Sequence, residues 1–170
     1  MKVVNVTSIA ILDQPLELTR IHEGIKGTVF YHKSRWLKMR LPPNNYYIAF
    51  YRSGKFLITQ KDPEKTQEIA ETVVKLLKNI DIDVKIIKIE TMNIVVSDEV
   101  NLRMNLENLM RTLDIDKASY EPEQFSGLIY KDWGWSFLLF YTGKVIITGL
   151  KNIKDADSAI RLFKNVVESI

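Results

Sequence analysis

The sequence predicts an α+β fold in which one strand–helix–four-strand–helix unit is used twice. Three observations carry this expectation. Tyr31, Trp36, Tyr51, Gly54, Lys55 and Thr59 recur as Tyr120, Phe125, Phe140, Gly143, Lys144 and Thr148, every one displaced by 89 positions. Around both sets, short segments between turn signals alternate apolar and polar residues with the period of a strand. Each set is followed by a stretch whose apolar residues fall at helical spacing. A repeat of this length implies two pseudo-symmetric halves, residues 1–83 and 84–170. Asp81-Ile82-Asp83 joins them and is too short and too poor in Gly and Ser for a flexible linker.

In the first half, Val3 to Ile9 reads as a strand and Leu16 to Ile25 as a short helix with Leu16, Leu18, Ile21 and Ile25 on one face. Strands follow at Thr28–Lys33, Trp36–Leu41, Tyr46–Tyr51 and Lys55–Thr59, separated by Pro42-Pro43-Asn44-Asn45 and Arg52-Ser53-Gly54 as turns. Asp62 then caps a helix with Pro63 in its first position. Ile69, Ala70, Val73, Val74, Leu76, Leu77 and Ile80 form the apolar face of that helix. The second half repeats the order. It has a strand at Lys85–Val96, a helix at Leu102–Leu113, and strands at Ala118–Glu123, Phe125–Lys131, Trp135–Phe140 and Lys144–Thr148. Its last helix, Asp155–Val167, buries Ala156, Ala159, Ile160, Phe163, Val166 and Val167.

Composition bounds the function. The chain has 170 residues, 46% hydrophobic and 26% charged, as in an ordinary globular protein. It has no cysteine. That excludes a disulfide framework, a Cys-ligated zinc site and a thiol nucleophile, and fits a reducing, cytoplasmic setting. No apolar run approaches the ~18 residues of a membrane span, and the first residues lack a signal-peptide core. Net charge is only +3, but residues 1–83 carry 13 Lys/Arg against 9 Asp/Glu, and residues 84–170 carry 11 against 12. One half is basic and the other is not, which implies different neighbours. A body of two near-equal halves suits a partner that is itself nearly two-fold symmetric, such as duplex DNA.

Alternation sorts each strand into two faces. Phe56 and Ile58 oppose Lys55, Leu57 and Thr59; Val145 and Ile147 oppose Lys144, Ile146 and Thr148. Helices cover the purely apolar face, which leaves Lys-apolar-Thr open twice. Asn5 and Thr7 share one face of the first strand, and Asn93 and Val95 one face of its repeat. Such a mixture of aliphatic groups with a few amides and hydroxyls complements the minor groove of A·T pairs, which offers acceptors and no exocyclic amine.

The stretch Tyr120-Glu121-Pro122-Glu123-Gln124-Phe125-Ser126-Gly127-Leu128-Ile129-Tyr130-Lys131 resembles the signature of the archaeal TATA-box-binding protein family, Y-E-P-E-Q-F-P-G-L-[IV]-Y-[RK]. The likeness continues from Phe140 through Gly143-Lys144-Val145-Ile146-Ile147-Thr148-Gly149 to Lys151. It implies a pseudo-two-fold saddle, a curved ten-stranded antiparallel sheet with four helices on the convex face. The concave face of that family binds and bends A/T-rich promoter DNA through the minor groove. Its wedge positions fall on Trp36, Tyr51, Phe125 and Phe140. The minor-groove floor falls on Asn5, Thr7, Leu57, Thr59, Asn93, Val95, Leu138, Ile146 and Thr148, with Ala49 beside them. Phosphate contacts fall on Arg40, Lys55, Lys131, Lys144 and Lys151. Glu121 and Glu123 lie on the loop through which the family meets transcription factor B. The resemblance implies a monomer on DNA that can dimerise off it, with no cofactor and no metal.

The departures gather in the first half. The counterpart of the signature there reads His32-Lys33-Ser34-Arg35-Trp36-Leu37-Lys38-Met39, so acidic residues have become basic and the glycine has become Lys38. Pro42 falls where the family has a phosphate-binding arginine. The wedge spacing is equal in the two halves, which implies equally shortened hairpins. These changes mark a divergent paralogue. A second reading is a regulator that has lost TATA binding and acts by protein contacts on the basal transcription machinery. Nothing in the chain reads as an enzyme. His22 and His32 lack metal-ligand spacing, and Gly24-Ile25-Lys26-Gly27 lacks the pattern of a phosphate loop. Trp133 and Trp135 flank Gly134; Trp135 reads as core and Trp133 as an exposed candidate for a protein contact.

Overall fold

The computed structural model describes residues 1–31, 33 and 35–170. His32 and Ser34, within the basic loop of the first half, lie outside the described residues. The chain forms two compact units, one of Asn5–Met92 and one of Met1–Val4 with Asn93–Ile170.

The first unit contains most of β1 (Lys2–Leu12), α1 (Leu18–Gly24), β2 (Val29–Tyr31), β3 (Trp36–Leu41), β4 (Tyr46–Tyr51), β5 (Lys55–Gln60) and α2 (Thr66–Asn79). Its strands run antiparallel in the order β2-β3-β4-β5-β1. Asp62 caps as expected: its carboxylate accepts the Glu64 N–H at 3.0 Å, and Pro63 opens a single 3-10 turn, Pro63–Lys65, that leads into α2. The alternation is obeyed. Phe56 and Ile58 are wholly buried, as are Leu37, Ile48 and Phe50 on neighbouring strands. They form one core with Ile21 of α1 and with Ile69, Ala70, Val73 and Leu77 of α2. Each side chain of this size contributes about 1.5–3 kcal/mol on burial, which far exceeds any single surface contact in the unit.

The second unit repeats the plan with β6 (Ile86–Glu99), α3 (Leu106–Thr112), β7 (Ala118–Ser119), β8 (Leu128–Asp132), β9 (Trp135–Leu139), β10 (Lys144–Leu150) and α4 (Ala156–Glu168). The strand order is β6-β10-β9-β8-β7. Val145, Ile147, Phe137 and Leu139 are buried, and Phe163 of α4 stacks on Phe137 with centroids 4.5 Å apart and rings 7° from parallel. Asn105 caps α3 through the Asn108 N–H at 2.9 Å, so this helix starts later than its apolar pattern implied.

Two expectations fail locally. The stretch Tyr120–Gly127 is a loop rather than strand; Phe125 lies in it, where Gln124 and Phe125 donate their N–H groups back to the Glu121 carbonyl at 2.9 and 3.0 Å. The β8–β9 connection is a two-residue turn, Trp133 and Gly134, with φ of 53° and 83°. Positive φ at both residues matches the right-handed twist of a hairpin. The Lys117 ammonium bonds Asp132 at 2.8 Å beside that turn and holds its carboxyl below the usual carboxylate range. Trp135 is half-buried and Trp133 is exposed, its ring packed edge-on to Phe137.

Gly54 and Gly143 do the same work in the two units. Both have left-handed φ, 86° and 88°, and a Cβ would lie 2.3 Å from the Gln14 carbonyl oxygen or 2.5 Å from that of Val100. Each glycine carbonyl accepts the N–H of the segment it touches, Leu12 and Val100, at 2.8 Å. Gly54→Ala is expected to cost about 2 kcal/mol or more from strain and backbone overlap. A thermal melt should then show a midpoint lowered by roughly 4–8 °C; an unchanged midpoint would refute the close approach.

Candidate nucleic-acid interface

With helices on one face of the strands in each unit, the other face carries the residues singled out by the sequence. In the second unit Ile146, Leu138 and Ile129 lie level across β10, β9 and β8, and Thr148, Ser136 and Lys131 lie level one step along. All but the exposed Lys131 are half-buried. Asn93 and Val95 lie on the same face of β6, between the buried Ile94 and Val96.

Asn93 is oriented by its neighbours. Its Oδ1 accepts the Gly149 N–H at 2.8 Å, and its Nδ2 lies 3.3 Å from Thr148 Oγ1. The donor is free because β10 slips register against β6 between Ile147 and Leu150, with Gly149 at φ 91°. A bulge of this kind leaves one residue unpaired. The acceptor end of the amide is therefore engaged, and the –NH2 end lies against the Thr148 hydroxyl.

At the outer end of this face Phe125 and Phe140 pack edge to face, with centroids 5.8 Å apart and 66° between the rings. They sit over Gly127, where a Cβ would come within 2.7 Å of Phe125 Cε1 and 3.2 Å of Phe140 Cε1. Phe125 is 37% exposed although it is large and apolar. Glu121 and Glu123 are exposed on the same loop.

A family model described as transcription factor TFIID, or TATA-binding protein, matches residues 1–80 and 88–170. The chain belongs to the TATA-binding-protein family. The TATA-box-binding protein of Archaeoglobus fulgidus is 30% identical over 165 residues, covering 94% of this chain and 90% of the relative. That of Pyrodictium occultum is 32% identical, covering 92% and 80%. The solved Methanococcus jannaschii TATA-binding protein superposes with a TM-score of 0.85 at 27% identity, over 99% of this chain and 98% of that one. The fold is thus the family's ten-stranded antiparallel sheet with four helices, and the family is one of transcription factors rather than enzymes.

The first unit departs from the second more deeply than by residue exchange. Ala49 and Leu138 are 89 positions apart, but the residues opposite them are Lys38 and Ile129, which are 91 apart. Trp36 stands directly opposite Tyr51 inside the strand ladder, so by register it occupies the place of Gly127, not of Phe125. The matching spacing is a cancellation. The β2–β3 connection is short, and β3–β4 is joined by four residues where β8–β9 needs two. The same slip puts Arg40 opposite Tyr47 as Lys131 is opposite Ser136, so Arg40, not Pro42, matches Lys131.

Thr7, Thr59 and Tyr47 lie level on the open face of the first unit, as do Ile9, Leu57 and Ala49, with Ala49 only 1% exposed. Lys55 is exposed opposite Tyr51. Burial, and then the neighbouring Tyr47, raise the Tyr51 pKa, so its phenol stays neutral at any physiological pH. Here β5 keeps register with β1 through Val6 and Gln60, without a bulge. Gln60 turns inward and bonds Thr66 Oγ1 at 3.2 Å. Asn5 instead lines a cleft with Arg40, Thr59, Lys61 and Lys65. In the second unit Lys144 is exposed opposite Glu99, and Lys151 is exposed beyond β10.

Because Asn93 supplies the acceptor for the Gly149 N–H, Asn93→Ala should lose about 1 kcal/mol of stability. Asn5→Ala should change stability by less than about 0.5 kcal/mol. Urea unfolding of the two variants measures the difference, and equal losses would refute the asymmetry.

Proposed function

We propose that this chain is a transcription initiation factor that binds and bends A/T-rich promoter DNA through the minor groove and recruits transcription factor B. Residues 1–83 and 84–170 act as two TATA-binding-type repeats, and the protein works as a monomer on DNA. The observation that carries the reading is the oriented Asn93 amide, held by Gly149 and Thr148 on the sheet face that ends in the Phe125–Phe140 pair. An –NH2 donor suits adenine N3 and thymine O2, and a guanine amine would meet it donor to donor. Val95, Leu138 and Ile146 give the groove floor apolar contact, and Asn5, Thr7, Leu57 and Thr59 are the corresponding floor of the first half. A large apolar pair that projects from the sheet can enter a base step and repay the few kcal/mol of unstacking by the contacts that the bend permits. Trp36 and Tyr51 meet the DNA under the first half. Arg40, Lys55, Lys131, Lys144 and Lys151 pair with phosphates, while Glu121 and Glu123 dock transcription factor B.

Gel-shift assays on A·T-rich, G·C-rich and inosine·C-substituted duplexes test the groove. Inosine lacks the guanine amine, so the substituted duplex should bind within a few-fold of A·T DNA and well above G·C DNA. Equal affinity for all three would exclude minor-groove readout. Phe125→Ala should abolish most of the bend with a smaller loss of affinity. Glu121→Arg should prevent a supershift by transcription factor B while leaving the DNA complex intact; a preserved supershift would remove the acidic loop from that contact.

A further inference from the structure

The first unit carries an aromatic row that the second lacks. Tyr31, Trp36 and Tyr51 lie at one register level on β2, β3 and β4. Their centroids are 5.4 Å and 6.1 Å apart, with tilts of 39° and 41° between successive rings. Lys55 continues the level on β5. One step along β3, the Lys38 Nζ lies 4.6 Å over the Tyr31 ring, and one further step on, the Arg40 guanidinium lies 5.1 Å over Tyr47. At the corresponding level of the second unit stands Gly127, and the rings there rise from a loop and a strand end.

We propose that this row is a binding site for unpaired nucleotides, with bases stacking on Tyr31, Trp36 and Tyr51 and phosphates pairing with Lys38, Arg40 and Lys55. Three level strands at about 4.8 Å spacing make a band roughly 10 Å wide. That is broader than the ~3.4 Å rise of one base step, so the row offers a platform where the Phe125–Phe140 pair offers a wedge. Aromatic side chains interleaved with cations on an open sheet face are what single strands require, since every base has a π-face and every linkage a phosphate. Tyr31 is 44% exposed, and Tyr51 remains a neutral ring. The site stands on the first unit alone and goes beyond the minor-groove reading.

Fluorescence anisotropy of labelled oligo(dT) with the full chain tests it, with an oligo(U) arm to tell DNA from RNA as the source of the bases. Tyr31→Ala and Trp36→Ala should each weaken oligo(dT) binding by roughly 5- to 150-fold, and Trp36→Phe should restore most of the loss, which separates stacking from misfolding. Tyr141→Ala, which removes an exposed ring of the second unit outside the row, should leave oligo(dT) affinity unchanged. Oligo(dT) binding that is absent from the unaltered chain, or that falls equally in Tyr141→Ala, would overturn the proposal. Oligo(dT) binding without any duplex binding would support this site and remove the minor-groove reading, so the two fail separately.

Discussion

Each unit has two helices and five strands of the sheet, and the helices can cover only one face of those strands. Everything else follows from that constraint. Strand side chains alternate between faces, so Phe56 and Ile58, or Val145 and Ile147, are committed to the core while their neighbours Leu57, Thr59, Ile146 and Thr148 are left half-open. The hydrophobic gain on the covered face is large enough to hold the register, because a slip of one residue would turn the whole apolar set outward. The glycines at 54 and 143 pin the same arrangement from the ends, since each lets a hairpin close against the segment that enters the unit. The open face is thus not a failure of packing. It is the surface on which aliphatic, amide and hydroxyl groups can be displayed at fixed spacing.

Most of this was legible in the sequence. The order of elements, the buried faces of the first and last strands of each half, the Asp62 cap and the helix faces follow from short-range rules: period-two alternation, turn residues and cap residues. Those rules fail where two local changes compensate. A connection shortened before β3 and a hairpin lengthened after it leave the count between Trp36 and Tyr51 equal to that between Phe125 and Phe140. Residue counting sees the sum and cannot see the slip. Only the pairing of Lys38 with Ala49 and of Ile129 with Leu138 separates the two contributions. A sequence clue did exist, for Pro42-Pro43-Asn44-Asn45 holds four turn residues where Trp133-Gly134 holds two.

The orientation of Asn93 was illegible for a different reason. It depends on a bulge, and a bulge is one extra residue in a ladder whose partner strand lies far away in sequence. Gly149 was visible as a glycine after Thr148, but its N–H becomes a donor for Asn93 only because β10 slips against β6. At the matching place in the first unit, Gln60 is a buried polar residue that must be satisfied inward, and it is, through Thr66. One exchange, glycine for glutamine, therefore removes both the bulge and the group that would orient the amide.

On the proposed reading, these differences divide the work between the units. Attraction to phosphates grows with each cation, at a salt slope of about −0.9 per phosphate neutralised, and carries no sequence information. The first unit has the surplus of cations, with Arg40, Lys38 and Lys55 on or beside its open face, and its amide at Asn5 lies in a basic cleft. The second unit has no such surplus. Its open face instead holds an amide whose donor and acceptor ends are fixed. A fixed donor discriminates because the wrong base leaves it unpaired or opposed, which costs about 1–3 kcal/mol per base pair; an unfixed amide can rotate to suit either base and loses that discrimination. On the proposed reading, binding energy that is indifferent to sequence and binding energy that reads it fall on different copies of one repeat.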